Sequence, residues 1–148
     1  MSIQPPTTQP TTSGRVGAPP SYAGSAIADR YELGRAGEGA VVRWYESEGY
    51  THLASRVRCR AGELDAIVRS PEGAVVFVEV KTRRGTRFGA AEAVNARKFA
   101  TMRRCAGEWL QREHIPVSTP VRFDVCEVRF DGAAFHARRF EGVEDGAC

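Results

Sequence analysis

The stretch from Gly62 to Arg84, GELDAIVRSPEGAVVFVEVKTRR, limits what this chain can fold into more than any other. Alternation in its first half puts Glu63, Asp65 and Ile67 on one strand face and Leu64, Ala66 and Val68 on the other. Ser70-Pro71-Glu72-Gly73 then has the chemistry of a turn. The second half sets Phe77, Glu79 and Lys81 against Val76, Val78 and Val80. Both faces of that second strand are apolar until its exit, the pattern of a strand at the centre of a sheet and covered on both sides. Carboxylates and ammonium groups are costly to desolvate. Asp65, Glu79 and Lys81 at the ends of such strands therefore either pair with one another or bind something.

The rest of the chain supplies elements to pack on this hairpin. Residues 1 to about 30 are rich in Pro, Thr, Ser and Gly and nearly devoid of large apolar side chains, so they are expected to form a disordered tail. One domain is expected over 31–140, followed by a flexible tail over 141–148. From Gly34 to Gly49 helical spacing places Glu38, Val41, Val42 and Tyr45 on one face. Glu38 thus lies on the apolar side, either as a first-turn carboxylate favoured by the helix dipole or as an acid aimed at the hairpin. His52 to Arg60 reads as an edge strand with Arg56, Arg58 and Arg60 on one face, for solvent or for phosphate. A basic loop over Arg83 to Phe88 leads to a long helix over Ala90 to Glu113, with Val94, Met102, Ala106, Trp109 and Leu110 inward and Lys98 on or beside that face. Strands follow at Val121 to Phe130 and Ala133 to Phe140. The expected order is α-β-β-β-α-β-β.

Composition excludes several classes. At 148 residues, 42% hydrophobic and 26% charged, the chain is sized for one globular core, and no apolar run reaches the roughly 18 residues of a membrane helix. No secretory signal is recognisable, and the cytoplasm is the default location. Cysteines 59, 105, 126 and 148 form no CxxC pair and are expected to be reduced, mostly as small core residues. His52, His114 and His136 lack metal spacing, Gly34, Gly37 and Gly39 do not make a nucleotide-binding loop, and no serine has a GxSxG context. The net charge of +3 conceals a band from Lys81 to Arg104 with eight basic residues against Glu92 alone. Nucleic acid is the leading partner for such a band, although a solvated helix face has the same composition.

Pooling the inward or strand-end polar residues gives Glu38, Asp65, Glu79, Lys81 and Lys98. For an isolated ExK, a cross-strand ion-pair network is the ordinary explanation. The full set has the parts of a metal-dependent nuclease. Two carboxylates on adjacent strands, with a backbone carbonyl such as that of Val80, suit Mg²⁺ or Mn²⁺. Lys81 is placed to orient or deprotonate a water, or to stabilise charge on a phosphate.

Taken in order, GRAGE at 34–38, GELDAIV at 62–68, VFVEVKTR at 76–83, FGAAEAV at 88–94, Lys98 and RFDV at 122–125 resemble the YraN family of small bacterial proteins. The D…ExK spacing within them resembles the PD-(D/E)xK nuclease superfamily. This likeness covers roughly Gly34 to Val128. It implies an α/β, restriction-endonuclease-like fold similar to archaeal Holliday junction resolvases, with a central mixed β-sheet flanked by helices. By motif, Glu38 is the helix acid, Asp65 and Glu79 are metal ligands, Lys81 is the catalytic lysine and Lys98 a phosphate contact. The implied activity is a Mg²⁺-dependent endonuclease on DNA, acting on branched or single-stranded intermediates of repair or recombination. A non-cleaving nucleic-acid-binding module that uses Arg83, Arg84, Arg87, Arg103 and Arg104 on phosphates is the alternative, and a protein-interaction domain the third. Resolvases of this fold work as dimers, so a homodimer is compatible with the likeness. The chain departs from the family at Arg56, near which an asparagine is expected, and at Ala66, where a larger aliphatic residue is usual.

Overall fold

The computed structural model describes residues 10–17, 30–88 and 96–143. Its elements are β1 (Thr12–Gly17), α1 (Arg30–Ser47), β2 (Thr51–Cys59), β3 (Gly62–Arg69), β4 (Val75–Arg84), α2 (Ala96–Arg112), β5 (Val121–Phe130) and β6 (Phe135–Phe140). They build a mixed α/β fold, one sheet in the order β1-β6-β5-β4-β3-β2 with a helix on each face. Only β4 and β5 run parallel; the other neighbours are antiparallel. Joining parallel strands requires a crossover, and α2 lies in that connection.

β4 is central, as its two apolar faces require. Val76, Val78 and Val80 pack with Ala40, Val41 and Tyr45 of α1. Val75 and Phe77 pack on the other side with Met102, Cys105, Ala106 and Trp109 of α2, where the Phe77 and Trp109 rings meet edge to face at 5.9 Å. α1 comes very close to β4, because a Cβ at Gly37 would overlap the Thr82 side chain. Only glycine fits there, and this contact sets the depth at which the neighbouring Glu38 sits. α1 closes on Gly49 at φ +90°, with Tyr50 N–H donating to Tyr45 O over 3.1 Å.

Three expectations are corrected. First, the strand order gains β1 at its start, inside the 1–30 segment read as a tail. It pairs antiparallel with β6 from Thr12↔Arg139 to Gly17↔Phe135. An edge strand is held by its backbone ladder and needs few apolar side chains, so TSGRVG carries no compositional signal for it. Residues 1–9 and 18–29 lie outside the described residues, as do 89–95, where the start of the second helix was expected, and 144–148. Second, Cys59 and Cys105 are joined in a disulfide, not reduced. They are 46 residues apart, and packing α2 over β2 and β3 brings their Cα atoms to 5.4 Å, within reach of the bond. Cys126 is a free, buried thiol, as expected. Third, residues 141–143 of the expected C-terminal tail are tied back, with Val143 N–H on Phe123 O at 2.8 Å and Gly142 N–H on Asp124 Oδ1 at 3.2 Å.

The RFDV word is an anchor at the C-terminal end of α1. Asp124 is fully buried, receives both Nε and Nη2 of Arg122 at 2.9 and 2.8 Å, and accepts the Tyr45 hydroxyl at 2.7 Å. Burial of a carboxylate is tolerable only with such pairing.

Candidate functional site

β3 and β4 are laddered from Arg69↔Val75 up to Ala66↔Val78 and part beyond that point. Asp65 is the first β3 residue past the ladder. Its side chain substitutes for the missing backbone acceptor, with Val80 N–H donating to Asp65 Oδ2 at 2.8 Å. In an extended strand the N–H and C=O of one residue point to the same side, so the Val80 carbonyl also faces the gap that Asp65 occupies.

Glu79, next along β4, is 5% exposed. Its carboxyl lies within hydrogen-bonding reach of Asp65, and Lys98 Nζ of α2 approaches its Oε1 at 3.3 Å. Burial first, and then the charge of Asp65, push the Glu79 pKa up to about 8, against the lowering effect of Lys98. A buried carboxyl that close to a second one resists ionisation, so Glu79 holds a proton near neutrality.

Glu38 approaches from the α1 side. Its Oε2 accepts Arg56 Nε at 3.0 Å, with both side chains about three-quarters buried. Its pKa is raised, by burial first and also by Asp65, while Arg56 opposes the shift. Asp65 is thus the carboxylate felt by both Glu38 and Glu79. Glu38 stands beside the pair; among the described residues no group of three or more His, Cys, Asp and Glu side chains is clustered closely enough to hold a metal. The two carboxyls and the Val80 carbonyl nonetheless fit a hard divalent cation, which binds one or two carboxylates and keeps several waters. Such a cation would replace the proton that burial forces onto Glu79.

Lys81 is exposed, two residues beyond Glu79 on the same strand face. Arg83, Arg84 and Arg87 continue from it, all exposed, with the Arg84 guanidinium 5.6 Å from the centre of the Phe130 ring. The fold therefore joins this half of the basic band to the carboxyl pair. Arg103 and Arg104 lie apart, lining a depression on α2 with Arg60, Glu108 and Gln111. Lys98, expected as a phosphate contact, lies with its Nζ 3.3 Å from Glu79 Oε1. His52 and His136 are bonded locally, to Ser55 and Asp131 at 2.7 and 2.8 Å.

Two participants escaped sequence reading. Gly37 gains its importance from Thr82, a contact no local pattern reveals. Arg56 was visible as one of three arginines on a strand face and as a departure near an expected asparagine, but not as the partner of Glu38. It has φ +51°, a left-handed conformation that asparagine tolerates and arginine rarely adopts.

The family model of the uncharacterised protein family UPF0102 matches residues 37–128. A UPF0102 protein of Corynebacterium efficiens is 47% identical over 121 residues, covering 80% of this chain and 97% of its own. One of Frankia alni is 53% identical over 105 residues, covering 70% and 85%. Among solved structures, Pyrococcus furiosus SfsA in complex with Ca²⁺ aligns at TM-score 0.37 and 17% identity, over 88% of this chain and 78% of that one.

Proposed function

The chain belongs to the UPF0102 family, and from its own residues we propose a metal-dependent endonuclease that hydrolyses phosphodiester bonds in DNA. The observation that carries this reading is the convergence of the Asp65 and Glu79 carboxyls at the point where β3 and β4 part. Mg²⁺ or Mn²⁺, bound there, supplies a water of lowered pKa and neutralises a phosphodiester oxygen.

Asp65, Glu79 and the Val80 carbonyl hold the ion, and Asp65 is itself fixed by the Val80 N–H. Lys81 faces the incoming phosphate from the same strand and stabilises the charge that builds on its oxygens. Glu38, bonded to Arg56, orients water at the edge of the pair. Arg83, Arg84 and Arg87 bind the flanking backbone phosphates.

The test is cleavage of labelled junction, flap and single-stranded DNA with Mg²⁺ or Mn²⁺. Wild type should cut, while Asp65→Ala and Glu79→Ala should lose at least about a hundredfold in rate. Equal cutting by these variants would assign the activity to a contaminant. One observation favours a second reading, a module that binds without cutting: Glu38 and Glu79 already have basic partners in Arg56 and Lys98. Binding that weakens steeply with salt and ignores divalent metal, without cleavage, supports that reading.

A further inference from the structure

Beside Glu38 lies a surface that the proposed reaction does not use. Tyr31, Arg35 and Glu38 stand at i, i+4 and i+7 of α1 and so share one helix face. Tyr31 is 67% exposed, the one exposed aromatic side chain among the described residues. Two guanidiniums attend its ring, Arg35 at 5.4 Å and Arg56 at 5.9 Å from the centre, and Arg35 Nη1 lies 3.4 Å from the Tyr31 hydroxyl. Arg56 reaches there from the middle of β2, from a position that the register sets opposite Asp65, between Ser55↔Ala66 and Val57↔Leu64. Its neighbours Val57 and Cys59 pack on the α2 side, so alternation places Arg56 on the α1 face, where it bonds Glu38 from a left-handed backbone at φ +51°. Strained backbone of this kind persists where surrounding contacts hold it, and it gathers at binding sites.

We propose that Tyr31, Arg35 and Arg56 form a subsite for one unpaired nucleobase and its adjoining phosphate, placed next to the carboxyl site. The proposal rests on the nucleic-acid reading above and narrows its substrate to strands with exposed bases. Every base offers a π face to a tyrosine ring, whatever its sequence, but only when it is not already stacked within a duplex. Guanidiniums at the ring supply the charge complement to the phosphate on either side of that base. Arg56 bonds Glu38 while it attends the Tyr31 ring, so a base held there adjoins the site in register.

Binding of labelled oligothymidylate and of a blunt duplex of equal length, measured by fluorescence anisotropy in EDTA, tests the proposal without requiring cleavage. Tyr31→Ala should weaken single-strand binding about tenfold and leave duplex binding within about twofold. Tyr31→Phe, which keeps the ring, should bind as wild type. Arg56→Asn, which suits the left-handed backbone, should weaken single-strand binding and make it less salt-dependent. Single-strand affinity unchanged in Tyr31→Ala, or lost equally on both ligands, overturns the subsite and leaves the nuclease reading standing. Self-association of wild type that Tyr31→Ala abolishes, with DNA affinity unchanged, overturns it in favour of a second copy of the chain on this face. Wild type that does not bind the single strand overturns the subsite, while cleavage of the junction, flap and single-stranded substrates decides the nuclease reading separately.

Discussion

Replacing Glu79 with glutamine tests the carboxyl pair without any assumption about activity. The folded-state pKa of Glu79 is about 8, against an ordinary 4.5. Between those values the native state holds a proton that the unfolded chain has released, so stability falls as pH rises, by no more than about 1.4 kcal/mol per unit. The contribution is complete below about 4.5 and gone once pH has passed through about 8. The ceiling over that interval is about 5 kcal/mol. The value of about 8 already contains the opposing effect of Lys98, so we expect a loss of no more than about 4 kcal/mol between pH 5 and pH 9. Glutamine is neutral throughout and can still donate to Asp65. Urea denaturation in EDTA should show this slope in wild type and not in Glu79→Gln, leaving the variant the more stable protein at pH 9. Equal slopes in the two proteins, or a variant less stable than wild type at pH 9, would refute a proton held by Glu79.

Four further outcomes are expected. Mn²⁺ affinity, measured by titration calorimetry, should tighten up to about tenfold per pH unit between 6 and 8, because the ion displaces the Glu79 proton, and Glu79→Gln should lose that dependence. Reduction of Cys59–Cys105, 46 residues apart, should cost about 4 kcal/mol of unfolding free energy by the loop-entropy relation, read from denaturation with and without reductant. Gly37→Ala should destabilise by about 1–3 kcal/mol because the new methyl group overlaps Thr82, and Thr82→Ala should recover part of that loss. Asp124→Asn should cost about 3–5 kcal/mol, since it strands the Arg122 guanidinium beside a buried site.

What was legible in the sequence was whatever periodicity or turn chemistry writes locally. The β3–β4 hairpin, its central place and the inward face of α1 followed from alternation and from Val41, Val42 and Tyr45, except that Leu64 packs with Ile67 on the α2 side and not with Ala66 and Val68. Asp65 and Glu79 were legible as candidates because acids at the ends of valine-rich strands need a reason. Features that arise only from tertiary approach left no such mark. β1 is made by pairing with β6, the disulfide by α2 crossing β2, and the depth of Glu38 by Gly37 meeting Thr82. The basic band illustrates the same limit, because consecutive arginines were treated as one surface. Folding keeps Arg83 and Arg84 on the strand that carries Glu79 and Lys81, and places Arg103 and Arg104 along a depression on α2.

Both flanking acids are held by a base from another element, yet the two pairs differ in how readily they can open. Lys98 reaches Glu79 through a flexible, partly exposed chain and can swing into solvent at little cost. Arg56 is fixed by a backbone already in the left-handed region, with its guanidinium bonded to Glu38 and close to the Tyr31 ring. A cation entering the gap between β3 and β4 therefore draws on Glu79 and Asp65 and leaves Glu38 with its arginine. In the proposed site the helix acid would act from beside the metal ligands, with Arg56 as its ion-pair partner. The arginine couples the carboxyl site to the exposed Tyr31 surface, so a change at position 56 should alter metal-dependent cutting and single-strand binding together, while a change at Lys98 should alter only the first.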